Sequence, residues 1–461
     1  RFLLRTFSPQ IPNSLPTTLT PEQYLACLFF LLFDSVKSYL LNHGTGVGKT
    51  VQGSFISHSF LNVSPSARVI ILVLSVTKTQ WLEQLKRDDI SNTHMSRIDI
   101  VGYDTSSFSN AISLVRSKLR TKDRVLIIVD EIHVMISRAV PKMGGLERTM
   151  KAHLDSLLDL SRKRDNKILL LTGTPFTNSI KEFEEYINIL RPNMFKQVSP
   201  TDVMGLDVIK RSSELALIMR YSVSSLNPQT KFAFSNTEGS EDYAAKTVVF
   251  KKVTMHSYQE ELYNIAAEIE RKSGAGGFRF LTRNYGNFAY KVYVRESMTE
   301  EEYNTKRQEA LDEFIGLMKS NMPMSEKEEL MTQCSTEFKS IVDHIDEERK
   351  GGYKCMIYIN MMENIDAMKA YLDVKGLTHI EFSGRTVKTR GEMLSIYNST
   401  ENLYGEKIKV LILSGAGSIG INIYGVRRLY FLSQEWTNAL SQQVIGRCLR
   451  YRYHIDFPPE E

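Results

Sequence analysis

Short apolar runs rich in β-branched residues recur early in the chain, at Tyr39–Leu41, Val69–Leu74, Ile98–Val101, Val125–Val129 and Ile168–Leu171. Their hydrophobicity is continuous rather than alternating, the pattern of strands buried on both faces, and the polar stretches between them are long enough for helices. The segment Pro21–Phe33 reads as a helix with Thr20 as N-cap and Pro21 in the first turn, and another helix opens at Lys49. A second alternation starts near Lys354, with strands expected at Cys355–Ile359, His379–Phe382, Lys409–Leu413 and Leu429–Leu432. Charged stretches such as Thr299–Glu313, and a Gly-rich spot at Gly274–Gly277, separate the two alternations. The pattern predicts an α/β protein: an extension at 1–18, a parallel-sheet lobe at 19–194, a mostly helical insertion at 195–334 and a second parallel-sheet lobe at 335–461.

Composition changes this picture little. The chain has 461 residues, enough for about three domains at roughly 150 residues each. Hydrophobic residues at 42%, charged at 24% and aromatic at 10% exclude a disordered, collagen-like or disulfide-scaffold chain. Lys and Arg number 58 against 53 Asp and Glu, a net charge of +5 that permits a polyanionic partner without requiring one. Cys27, Cys334, Cys355 and Cys448 are scattered, with no zinc-type spacing, so a reducing, intracellular setting is expected. The longest apolar run, Leu25–Phe33, stops at Asp34, well short of the roughly 20 residues of a spanning helix, so no membrane role is expected. The chain begins at Arg1 rather than Met, and a segment upstream of it is expected.

Candidate chemistry lies at the ends of the predicted strands. His43-Gly44-Thr45-Gly46-Val47-Gly48-Lys49-Thr50 follows a strand and opens a helix, where backbone N–H groups and a helix N-terminus cradle phosphates. His43 stands where the strict phosphate-loop pattern has Gly. Lys49 is expected to reach the β- and γ-phosphates of ATP, and the Thr50 hydroxyl to ligate Mg²⁺. Val125–Val129 runs into Asp130-Glu131-Ile132-His133, setting two acids at the carboxyl edge of the sheet. Asp130 is the expected Mg²⁺ ligand, Glu131 the residue that polarises the attacking water, and His133 the link from nucleotide to the rest of the site. Either motif alone has an ordinary explanation as a turn; their pairing is what points to phosphoryl chemistry.

With Leu171-Thr172-Gly173-Thr174-Pro175 added, the ordered set resembles that of superfamily 2 helicases and translocases. That resemblance implies two RecA-like lobes binding ATP between them. It gives Thr172 and Thr174 a coupling role, and Gln23, in Leu19-Thr-Pro-Glu-Gln23, contact with adenine. It sets Trp81 against the nucleic-acid backbone and Ser414 against nucleic acid. Gly420, in Ser414-Gly-Ala-Gly-Ser-Ile-Gly-Ile-Asn422, falls near the nucleotide. Gln443-Val-Ile-Gly-Arg447-Cys-Leu-Arg450 matches the arginine-bearing motif of the second lobe, with Gln443 at the nucleotide. Arg447 and Arg450 are expected on one helical face as arginine fingers, a device that speeds phosphoryl transfer by about 10³ to 10⁵.

The continuation Thr172–Asn178 with Glu182-Phe183 resembles the Swi/Snf-type branch, which moves on duplex DNA. Stretches such as Arg220-Tyr-Ser, Val253–Gln259, Ser335–Lys339 and Ile396–Glu401 are similar to the poxvirus nucleoside triphosphate phosphohydrolase I and early transcription factor small-subunit type. The resemblance implies a DNA-dependent ATPase and translocase in a viral transcription complex. Its expected partners are duplex or single-stranded DNA and an RNA polymerase or transcription factor, and its expected place is the virion and the host cytoplasm. A Swi/Snf-type remodeller, a strand-separating helicase and an ATP-gated DNA-binding assembly subunit stand as alternatives.

Overall fold

Each apolar run becomes a strand, and every strand among the described residues pairs in parallel. The computed structural model describes residues 19–44, 46–63, 65–88, 92–103, 113, 124–139, 148–161, 166–175, 180–191, 222–226, 244, 247–272, 280–293, 298–386, 390–415, 417, 421–432, 438–449, 453–454 and 456–457. The chain divides into two compact units, Arg1–Glu238 with Thr437–Gly446, and Gly239–Trp436 with Arg447–Glu461.

In the first unit, helix α1 (Pro21–Leu32) precedes strand β1 (Ser38–His43) and helix α2 (Lys49–Val63). Then follow β2 (Arg68–Val73), α3 (Lys78–Arg87), the single turn α4 (Asn92–Met95), β3 (Ile98–Gly102) and β4 (Val125–Val129). Next come α5 (Ile132–Ala139), α6 (Arg148–Ser161), β5 (Asn166–Thr172), α7 (Ile180–Leu190) and β6 (Val223–Leu226). The sheet order is β3-β2-β4-β5-β1-β6. Register places Leu41 opposite Leu171 and Val129 opposite Leu170, so β1, β4 and β5 end close together at one sheet edge. Every residue of β4 and β5 is buried, as their unbroken hydrophobicity requires. Helix α2 packs on β2, β4 and β5, while α5 and α6 lie on β5 and α7 on β1.

α1 starts as the sequence dictates. The Thr20 side chain accepts from the Gln23 N–H while the Gln23 side chain accepts from the Thr20 N–H, a reciprocal capping box with Pro21 in the first turn. Strand β6 differs from expectation, because residues 223–226 fall in the stretch read as helical insertion but extend the first sheet beside β1. Its sequence, Val-Ser-Ser-Leu, has no apolar run, which suits an edge position.

In the second unit, helices α8 (Ser257–Lys272), α9 (Phe280–Asn287), α10 (Glu300–Lys319), α11 (Met324–Cys334) and α12 (Thr336–Glu347) precede β7 (Cys355–Tyr358). Helix α13 (Met362–Val374), β8 (His379–Phe382), α14 (Arg390–Asn398), β9 (Val410–Leu413) and β10 (Arg428–Phe431) follow in this unit, and the last helix, α15 (Asn438–Cys448), belongs to the first unit as far as Gly446. The second sheet runs β10-β7-β9-β8. Phe314, Met318, Met331, Phe338 and Ile345 from the preceding helices share one core with Ile357, Met368, Val410 and Ile412. The helices thus bury their apolar faces on this sheet, the solution open to amphipathic helices beside a parallel sheet. Two parallel sheets of six and four strands with their helices agree with two RecA-like lobes.

Candidate nucleotide site

The loop between β1 and α2 has the backbone a phosphate cradle needs. Gly46 and Gly48 sit at φ +80° and +73°, the left-handed region that glycine adopts without steric cost. Helix α2 begins at Lys49, so its N-terminal N–H groups face the loop. The Lys49 ammonium donates to the carbonyls of His43 at 3.0 Å and Gly44 at 3.2 Å. Thr50 follows in the first turn of α2, and Thr45 lies outside the described residues.

Two of the residues expected at the nucleotide also have structural partners. The Gln23 side chain is 6% exposed, and its Nε2 donates to the Val47 carbonyl at 2.6 Å while its Oε1 accepts from Thr20 N–H. The start of α1 is thereby fastened to the phosphate loop. A primary amide retains a donor and an acceptor site beyond these two bonds, which is the capacity an adenine contact uses. His43 is wholly buried. Gln52 Nε2 donates to its Nδ1 at 3.1 Å, which leaves Nε2–H to donate to Ser224 Oγ at 2.9 Å. Burial, and then the charge of Lys49, push its pKa down to about 4, against a smaller upward pull from Gln52, so the ring is neutral. The imidazole ties β1 to β6 and α2, and the backbone carbonyl of His43 accepts from Lys49.

The acids follow β4. Asp130 is buried, with Oδ2 accepting from the Trp81 indole N–H at 2.8 Å and Oδ1 from the Glu131 N–H at 3.1 Å. Burial first, then the charge of Glu131, lifts its pKa to about 6, while the Trp81 bond and the Lys49 charge pull it down. The loop lysine is therefore near enough for its charge to act on this carboxylate. Glu131 has φ +50°, the one non-glycine residue with positive φ among those described. A left-handed non-glycine residue of this kind is a strained position that its surroundings must hold. Here the Glu131 carbonyl accepts from the Tyr103 hydroxyl at 3.3 Å and from Val134 N–H at 2.9 Å.

Asp130 and Thr50 offer hard oxygen donors, the set suited to Mg²⁺. No group of three or more His, Cys, Asp or Glu side chains able to cage a metal occurs among the described residues. Mg²⁺ needs none, because it is held by one or two protein oxygens together with substrate phosphates. The residues present fit that ion.

Beside the acids is a polar network in which His133 is buried. Its Nδ1 lies 2.9 Å from Thr172 Oγ1 and 3.3 Å from Glu131 Oε2. Gln443 Nε2 lies 3.0 Å from His133 Nε2 and donates to Thr174 Oγ1 at 2.8 Å. Because that amide nitrogen is a donor, His133 Nε2 accepts, and the ring proton sits on Nδ1 facing Thr172 and Glu131. Thr172 Oγ1 also accepts from Thr174 N–H at 3.1 Å. The three residues expected to couple, His133, Thr172 and Thr174, are brought together, and Gln443 joins them.

Other expectations fare differently. Trp81, expected against nucleic acid, is fully buried and bonded to Asp130, so its ring is not available to a nucleic-acid backbone. Ser414 is 3% exposed; its hydroxyl accepts from Gly417 N–H at 3.2 Å and its own N–H donates to the Phe382 carbonyl. That hydroxyl is turned into its own loop rather than outward. Gly417 is required there, since a Cβ would stand 1.7 Å from the Phe382 carbonyl oxygen. Helix α15 ends at Cys448, with Arg447 in its last turn and the Arg447 carbonyl accepting from Ile423 N–H. Arg450, like Gly420, lies outside the described residues. Missed in the sequence were Gln52 and Ser224 on His43, and Trp81 on Asp130; Ser224 and Trp81 are distant in the chain from their partners, and Gln52, nine residues from His43, meets it only because the loop turns β1 back onto α2.

Two RecA-like lobes, the first with a phosphate loop and an Asp-Glu-Ile-His box, define a superfamily 2 helicase-like protein. Residues 336–452 match the helicase conserved C-terminal domain. The chain is 30% identical to nucleoside triphosphatase I of Melanoplus sanguinipes entomopoxvirus, over 98% of its own length and 74% of the relative's. It is 29% identical to the proteins of the same name from Choristoneura fumiferana entomopoxvirus, covering 97% and 73%, and Heliothis armigera entomopoxvirus, covering 97% and 72%. The chain belongs to the nucleoside triphosphatase I family.

Proposed function

We propose that the protein is a DNA-dependent ATPase that translocates on DNA as a component of a viral transcription machinery, acting in early initiation or in termination. The observation that carries the nucleotide part is the convergence of the Lys49 loop and the Asp130-Glu131 pair at one edge of the first sheet, with the lysine's charge acting on the buried acid. Lys49 and the N-terminus of α2 bind and orient the ATP phosphates. Glu131 polarises the attacking water, and Arg447 and Arg450 neutralise charge that develops on the transferred phosphoryl group. Asp130 and Thr50 are the residues to hold Mg²⁺, whose bound charge would offset that of the phosphates. His133, Thr172, Thr174 and Gln443 pass the state of the nucleotide to the nucleic-acid grip.

The DNA part rests on the helicase C-terminal domain and on the viral relatives. No helix among the described residues is long and apolar enough to cross a membrane. An RNA polymerase or transcription factor is the proposed partner, and the virion and host cytoplasm the proposed location. The test is steady-state ATP hydrolysis without nucleic acid and with single-stranded DNA, duplex DNA or RNA, paired with strand displacement. Stimulation by duplex DNA without displacement supports a translocase. Displacement would favour a helicase, and stimulation by RNA alone would overturn the DNA reading.

A further inference from the structure

Trp81 sits in α3 with no exposed surface, packed in the first unit's core among Phe55, Leu85, Ile128 and Leu171. An indole buried this deeply needs an acceptor for its N–H, and a buried carboxylate needs donors. Trp81 Nε1 and Asp130 Oδ2, 2.8 Å apart, meet both needs at once. The far end of the same ring lies against α2: a Cβ built on Gly53 would stand 2.5 Å from Trp81 Cη2 and 3.3 Å from Cζ3. The indole thus spans from the helix that carries Lys49 and Thr50 to the acid at the end of β4, and leaves no slack at either end. The Asp130 carboxylate is fixed about its last torsion, with Oδ2 held by the indole and Oδ1 by the Glu131 N–H.

We infer that Trp81 is the positioning residue of the hydrolytic site: its N–H sets the plane of the Asp130 carboxylate relative to the phosphate-loop helix. This inference rests on the nucleotide-site reading above. Removing a hydrogen-bond partner that orients a metal-binding carboxylate commonly costs about 10- to 100-fold in metal affinity or activity. A packing role alone would lower stability and leave the metal requirement of the folded enzyme unchanged.

The experiment uses the full chain and the Trp81→Phe variant, which keeps an aromatic ring and deletes the donor. ATP hydrolysis is measured as a function of ATP and of Mg²⁺ at a temperature where melting curves show both proteins folded, with Lys49→Ala as the control for the site. The expected result is a kcat lowered by about tenfold or more and a raised Mg²⁺ half-saturation, with the ATP KM within about twofold. An unchanged kcat and Mg²⁺ dependence in Trp81→Phe, while Lys49→Ala is inactive, overturns the positioning role alone. Full activity in Lys49→Ala overturns the site reading beneath it.

A second measurement does not depend on turnover. The chain has two tryptophans, Trp81 and Trp436, so Trp436→Phe leaves Trp81 as the sole indole emitter. In that variant, Mg²⁺ titrated in the presence of a non-hydrolysable ATP analogue is expected to change the emission saturably, because the partner of the indole N–H is being engaged. Emission that stays constant while binding of the analogue saturates would count against the assignment.

Discussion

The Gln443 carboxamide donates to the Thr174 hydroxyl at 2.8 Å, joining side chains 269 positions apart, and the same nitrogen faces His133 at 3.0 Å. One amide therefore bridges the strand-end motif after β5 and the histidine after the two acids. Gln443→Leu removes the donor and leaves the Thr174 hydroxyl and His133 Nε2 without it. The expected outcome is that basal ATP hydrolysis stays within a few-fold while stimulation by duplex DNA is lost. Steady-state rates with and without DNA check this; an intact ratio of the two rates would separate Gln443 from coupling.

Gly53 has one conformational and one packing consequence, and they oppose each other. Alanine is favoured over glycine inside a helix by about 1 kcal/mol. The new Cβ would press on the end of a buried indole at 2.5 Å, and such overpacking costs about 1–3 kcal/mol. The ring is held at its other end by Asp130, so the clash wins. Gly53→Ala is predicted to melt at lower temperature and to hydrolyse ATP more slowly than the wild type. A melting temperature raised by the substitution would show that the indole has room to move.

His43 makes a pH prediction. Its folded pKa of about 4 lies below the ordinary 6.5, chiefly through burial. Between those values the unfolded chain takes up a proton that the folded chain refuses, so the contribution to stability is complete above pH 6.5 and is lost as pH falls toward 4. His43→Gln removes this titration, and its melting temperature is predicted to fall less steeply than the wild type's across that window. Parallel curves for the two proteins would contradict a neutral buried imidazole.

Most strands were legible because buried parallel strands write themselves as unbroken apolar runs; Val125–Val129 matches residue for residue. Thr20 and Pro21 gave the start of α1 for an equally local reason, while the part of Gln23 in that cap was seen only in the structure. The glycines at 46 and 48 and the acids after β4 were readable because phosphate cradles and strand-end carboxylates depend on short spacings. What escaped were contacts between segments. Val223–Leu226 carries two serines and joins the sheet only through pairing with β1. Trp81 looked like a surface contact until the fold set it on Asp130, and Ser414 until its hydroxyl turned to Gly417. Nothing near Trp81 in the chain encodes Asp130, 49 positions away, whereas Gly417 is three residues from Ser414 and what the sequence does not show is the inward turn of that loop.

The central claim is that the Lys49 loop and the Asp130-Glu131 pair form one hydrolytic site driven by DNA. Its most direct test is phosphate release from Mg-ATP, with and without duplex DNA, by the wild type, Lys49→Ala and Glu131→Gln, alongside nucleotide binding by each. The account predicts DNA-stimulated release by the wild type, none by either variant, and retained ATP binding by Glu131→Gln. Wild-type rates in both variants, or a wild type that binds ATP and never hydrolyses it on any nucleic acid, would contradict it.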